Sequence, residues 1–190
     1  MARMEMVLLL LAGYGFGATA AMAEDPKSIG IYSDWEAVTV KDAKGKVCYI
    51  TSRPKKADLG IKNREMAVVR AMVTHRPAEK TFDVVSFVAG YNYKDGSKVV
   101  VDIDNEKLTL YTAGNAAWAW DNPSADDQGS DKKLVDAMRK GASLTVHGTT
   151  ARGTETTDSY SLIGFNKAYA AIGAACGVKV VPLATAAPAE

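Results

Sequence analysis

The chain of 190 residues has only two cysteines, two histidines and six prolines, and its 23 basic and 22 acidic residues leave a net charge of +1. Neither Cys48 nor Cys176 belongs to a C-x-x-C pair. Neither His75 nor His147 has a Cys, Asp or Glu neighbour at ligand spacing, so no metal and no cofactor is expected. Charge this balanced, with both signs mixed along the chain, leaves no basic stripe and argues against nucleic acid as a partner. The patterns G-x-S-x-G, G-x-x-x-x-G-K-[ST] and G-x-G-x-x-G do not occur, so neither a nucleophile elbow nor a phosphate cradle is written locally. Ser86 and Ser97 sit in strand-like settings without a visible base. A hydrolase would have to assemble its site from distant residues, and no catalytic residue is nominated.

Long apolar runs are scarce too, and the one that stands out is at the start. Arg3, the run Met6 to Ala20 centred on Leu8, Leu9, Leu10 and Leu11, and Ala21-Met22-Ala23 before Glu24 form the pattern of a cleaved export signal. Gly13, Gly15 and Gly17 interrupt the run, which falls short of the roughly 20 residues of an uncleaved anchor, the alternative reading. Cleavage after Ala23 is expected, with no membrane span after it and a periplasmic, surface-associated or secreted product. Residues 24–179 then form a single domain, long enough to bury a core. Residues 180–190, rich in alanine and without amphipathic pattern, read as a disordered tail.

Alternation of period two dominates the middle of the chain. A first strand is expected over Ile31 to Val40 and a second over Val47 to Ser52, followed by an exposed basic loop from Arg53 to Arg64 whose charges read as a solvated face, with contact to anionic lipid or polysaccharide as the alternative. Met66 to Thr74 and Phe82 to Ala89 make a hairpin about Arg76-Pro77, and Val99 to Ile103 pairs with Leu108 to Thr112 after the Asp95-Gly96 turn. A short strand follows over Ala116 to Trp120. Ser143 to Thr149 and Thr156 to Ile163 form a last hairpin about Ala151-Arg152-Gly153. Leu134, Val135 and Met138 mark a helix over 130–140, with Gly141 expected at a positive-φ stop. Phe165, Tyr169, Ile172 and Cys176 share one face of a second helix, with Asn166 as its cap and Gly177 as its stop.

This pattern predicts a mainly β fold, an antiparallel β-sandwich or curved sheet of about eight to ten strands with two packed helices. An even cysteine pair in an oxidising compartment is expected to be bridged, with two buried thiols as the alternative. A Cys48–Cys176 disulfide would pin the last helix to the second strand. A redox-active pair is a further reading, and it requires a readily reduced bridge. Candidate partner-binding residues are Arg76 and Arg152 at turns, and Trp118 and Trp120, two apart, as a stacking platform that competes with ordinary core packing.

Four segments occur in order: Thr74 to Lys80, Val84 to Gly90, Leu134 to Gly141, and Gly148 to Phe165. Together, and above all in GTTARGTETTDSYSLIGF, the chain resembles the invasion-associated locus B family of exported alphaproteobacterial proteins from about Trp35 to Val178. Some branches of that family carry a cysteine soon after the early Trp, where this chain has Val38, Thr39 and Val40. The resemblance implies an envelope protein that binds an envelope or host protein or a glycan. A periplasmic hydrolase is the competing expectation.

Overall fold

A computed structural model describes residues 24–58, 60–119 and 130–181. The expected leader, Trp120 and the tail beyond Val181 lie outside the described residues. Among the described residues ten antiparallel strands form one sheet: β1 (Lys27–Tyr32), β2 (Trp35–Asp42), β3 (Gly45–Ser52), β4 (Arg70–Arg76), β5 (Thr81–Val88), β6 (Lys98–Ile103), β7 (Glu106–Ala113), β8 (Ala116–Trp118), β9 (Ser143–Thr149) and β10 (Glu155–Ser161). Helix α1 (Ser130–Lys140) precedes β9 and α2 (Phe165–Cys176) follows β10. The order across the sheet is β1-β2-β3-β4-β5-β8-β7-β6-β9-β10, so the meander β6-β7-β8 enters reversed. The fold is the mainly β, curved antiparallel sheet with two packed helices that the alternation predicts.

Side chains of period two make the inner face. Val99 pairs with Leu110 and Val101 with Leu108, and all four are buried. Phe87 on β5 meets Tyr160 on β10 edge-on at 5.9 Å, so strands far apart in the sheet face each other across one core. Helix α2 lies over β1 to β4, where Phe165 meets Trp35 at 4.9 Å, and α1 lies over β5 and β7. Asp131 of α1 accepts the Val85 amide at 2.7 Å, which anchors the helix to β5. The Cys48–Cys176 disulfide joins β3 to the end of α2, with Cα atoms 6.1 Å apart.

The β10 end of the sheet meets the segment after β3 and the β1–β2 turn at a seam. The carbonyl of Ser159 on β10 accepts the Lys55 amide at 2.7 Å, and its amide donates to the Lys56 carbonyl at 2.8 Å. Trp35 Nε1 donates to the Ser161 carbonyl at 2.9 Å. The outer edge of β10 is thereby covered, as an edge strand must be if it is not to template pairing.

Four local expectations need correction. Ile31 to Val40 is a hairpin instead of one strand, because Ser33 takes φ 54 and turns Trp35 back opposite Tyr32. Without a Gly there, the turn left no signal. The strand expected from Met66 starts at Arg70, since Val68 and Val69 donate to the Glu65 and Met66 carbonyls in successive turns. Gly141 has no positive φ; it is needed because a Cβ there would stand 2.6 Å from Ile103 Cγ2. The α2 cap is Gly164, at φ 93, while Asn166 donates to the Arg139 carbonyl at 2.7 Å and so satisfies the end of α1. At the start of the expected tail, Val180 packs on the core beside Gly173.

Candidate functional site

The β9–β10 turn is stiff because its backbone is bonded on both sides. Thr150 and Thr154 exchange bonds, N to O at 2.8 Å and Thr154 N to Thr150 Oγ1 at 3.1 Å, and Ala151 N reaches the Asn92 carbonyl at 2.8 Å. Opposite the turn runs the segment 60–65. Between the two lies a cleft of about 350 Å³, lined by Gly60 to Asn63, by Tyr91 and Asn92, and by Thr150, Ala151, Arg152 and Thr154. Its two charged groups are Lys62 and Arg152. Neither makes a hydrogen bond or ion pair among the described residues, and the side chains of Asn63 and Asn92 are equally unbonded.

One wall of this cleft is fixed by a buried charge pair. Arg64 forms a fork on Asp158, Nη1 to Oδ1 at 2.8 Å and Nη2 to Oδ2, with side chains 2% and 6% exposed. Its Nε donates to the Ala89 carbonyl at 2.9 Å and Nη1 to the Asp58 carbonyl at 3.0 Å. The guanidinium also lies 5.2 Å from the centre of the Tyr91 ring, a cation–π contact. Tyr91 in turn bonds Thr156 at 2.5 Å through its hydroxyl, and burial pushes its titration, like that of Tyr93 and Tyr160, upward. The segment carrying Lys62 and Asn63 is therefore tied to β10 by its neighbour Arg64. The expected solvated basic loop holds for Lys62, and Arg64 corrects it by being internal.

A second cleft, of about 380 Å³, lies at the seam between Ile31, Asp34, Glu36, Arg53, Lys55 and Arg70. Its cations already have partners. Lys55 pairs with Asp34 and holds that carboxyl below the usual carboxylate range, while Arg53 and Arg70 donate to the Met66, Ala67 and Val68 carbonyls.

A family model described as Invasion associated locus B (IalB) protein matches residues 35–173, well over half of the chain. The chain belongs to the IalB family. No curated protein and no solved structure matches it. The IalB match opens at Trp35 on the seam and closes within α2, so it takes in both walls of the first cleft and leaves β1 and Cys176 outside.

Within this IalB domain the nominated residues are dispersed. Arg152 lines the cleft. Arg76 is elsewhere, at the end of β4, bound to Asp42 at 2.6 Å with Glu79 at 4.0 Å. Trp118 is half-buried in β8 between Ser86 on β5 and Tyr111 on β7, and Trp120 lies outside the described residues. His75 is fully buried and accepts the Asp83 amide at Nδ1, 3.1 Å away, which leaves the proton on Nε2. His147 is exposed on β9 and its Nδ1 is 3.3 Å from Thr157 Oγ1, with no carboxylate bonded to it. Among the described residues no three His, Cys, Asp or Glu side chains come together as metal ligands.

Asn63 and Asn92 were not singled out from sequence, since loops about 90 and 60 residues before the turn carry no motif, and Lys62 stood out only as one charge of the basic loop Arg53 to Arg64. Asp158 did leave a sign: it occupies an inward position of an alternating strand, between Thr156 and Tyr160, where a carboxylate needs a buried cation.

Proposed function

We propose that this IalB-family chain is an exported, non-enzymatic protein of the cell envelope that holds another envelope component or a host molecule at the cleft beneath the β9–β10 turn. The observation that carries this reading is the pair Lys62 and Arg152, two cations that line one cleft from facing segments without a counter-charge of their own. In the seam Lys55 is paired internally with Asp34, and Arg76 with Asp42, whereas the two cations of the cleft have no internal partner and are available to a ligand. The leader pattern supports export into the envelope.

Among the described residues the hydrolase alternative has the buried His75 beside Asp83, closed off from solvent, and one exposed arrangement, His147 with Thr157. That pair lies on an exposed strand face, and no carboxylate orients the imidazole as a general base requires. A photo-crosslinking amino acid placed at position 152, and at position 107 as a distant control, tests the proposal in intact cells. Capture of one envelope or host component from 152 alone is expected. Capture from neither position, or reproducible turnover in a broad hydrolase screen that disappears in His147→Ala, overturns it. Fractionation of the same cells checks export, with the chain expected in the periplasmic fraction shortened by its leader.

A further inference from the structure

The chemistry of the cleft narrows what it holds. Its charge is positive only: Lys62 and Arg152 line it, and no carboxylate does. Of the acidic residues near it in sequence, Asp58 accepts the Gly60 amide at 3.2 Å, Asp158 is buried against Arg64, and the exposed Glu65 and Glu155 are not among the lining residues. The ligand therefore carries negative charge. The neutral groups add a second requirement. Asn63 and Asn92 each offer an unbonded amide, and Thr154 an unbonded hydroxyl, all groups that both donate and accept. A bare carboxylate or phosphate only accepts, so it would use half of this capacity. A ring of hydroxyls, which also donate and accept, uses all of it.

Apolar surface is present but limited to Ile61, Ala151 and the half-buried Tyr91, enough for the C–H face of one ring. The volume of about 350 Å³ is at the small end of ligand clefts, and fits one or two sugar units better than a folded protein surface. Asn63 is held at φ 62, a conformation that Asn tolerates better than most residues, and Arg64 next to it is locked to β10. The amide is thus presented from a fixed backbone, and little ordering has to occur when a ligand arrives.

We infer that the cleft takes an anionic saccharide, a sugar bearing a carboxylate or a phosphate, with the anion on Lys62 and Arg152 and the hydroxyls on Asn63, Asn92 and Thr154. This rests on the binding reading given above and names the ligand class of the same site. Uronate and phosphate present the same charge-assisted acceptors, so the two sources are separate arms of the test.

The chain purified from the periplasm of an expression host is titrated calorimetrically with four probes: trigalacturonate, glucose 6-phosphate, neutral maltotriose and triglutamate. At least one of the two anionic sugars is expected to bind, at least about 10-fold more tightly than maltotriose or triglutamate, and more weakly as salt is raised. Lys62→Gln and Arg152→Gln are each expected to lose about 10-fold or more, as removal of a charge-assisted bond implies, while Lys107→Gln is unchanged. Both altered residues are exposed, and an unchanged melting temperature shows that the loss is not unfolding. Equal binding of triglutamate, binding indifferent to both substitutions, or no binding of either anionic sugar overturns the inference. If position 152 still captures an envelope component in cells while the sugars fail, the ligand class is wrong and the binding reading stands. If both fail, both are wrong.

Discussion

Replacing Arg64 by Met tests whether a buried charge pair holds the cleft wall in place. Methionine keeps the length and the apolar stem of arginine and removes every donor. Asp158, 6% exposed, would then keep a carboxylate in the core without its cation, which typically costs about 3–5 kcal/mol. The Ala89 and Asp58 carbonyls also lose their donor, at about 0.5–1.5 kcal/mol each. The sum is roughly 4–8 kcal/mol, a large part of the 5–15 kcal/mol that stabilises an ordinary domain. In the double variant Arg64→Met with Asp158→Leu the stranded charge is gone, and only the two carbonyls remain, so roughly 1–3 kcal/mol should be lost. Urea unfolding followed by tryptophan fluorescence reads both, since Trp35 is fully buried and reports the core. The double variant is expected to be more stable than the single by about 3–5 kcal/mol. Single and double variants of equal stability, or a single variant within 1 kcal/mol of the parent, would show that water reaches Asp158 and that the wall is not pinned by charge.

The disulfide closes a sequence separation of 128 residues, for which chain entropy gives about 5 kcal/mol as an upper figure; Cys48→Ala with Cys176→Ala should lower the melting temperature by roughly 5–15 °C, and a change under about 2 °C would mean that α2 is held without it. Burial lowers the titration of His75 below its usual value, with Asp83 opposing, so the unfolded chain takes the proton first and stability falls as pH drops below about 6.5. His75→Phe should abolish that loss between pH 7 and 5 in parallel urea titrations, and an unchanged pH slope would refute the assignment. Gly164 stands at φ 93 with the Tyr32 carbonyl oxygen 1.8 Å from where a Cβ would lie, so Gly164→Ala should cost more than the usual ~1 kcal/mol for positive φ and melt well below the parent; equal melting would refute the close approach.

What the sequence made legible was what repeats or pairs locally. Val99, Val101 and Ile103 announced an inner face by alternation, and Phe165, Tyr169, Ile172 and Cys176 announced the helix face that carries the disulfide to β3. The β1–β2 turn was hidden because Ser33 adopts a positive φ with no glycine to mark it. The seam was hidden because Lys55 and Ser159 are joined only by backbone bonds, to which side-chain pattern is blind. The cleft was hidden for a different reason: its walls come from three segments whose proximity depends on the reversed entry of the β6-β7-β8 meander. Of its cations, Arg152 drew attention as the tip of a turn and Lys62 only as one charge of a basic loop.

The stretch from Gly148 to Phe165, which made the family recognisable, is specific chiefly because the fold constrains it. Gly148 leaves room for the Tyr93 ring, which a Cβ would approach to 2.6 Å. Thr156, Asp158 and Tyr160 then point inward in succession, to Tyr91, to Arg64 and to Phe87. Ser159 and Ser161 give their carbonyls to the seam, and Gly164 clears the Tyr32 backbone. Each of these residues is accounted for by a contact inside the molecule. Arg152 is not, because it lies at the tip of the turn, exposed and without a partner. A residue that the fold does not need is one whose replacement separates function from folding. Arg152→Gln should therefore leave the melting temperature where it is and change only what the cleft binds, whereas substitution at Asp158, three residues into β10, should lower stability first and binding as a consequence.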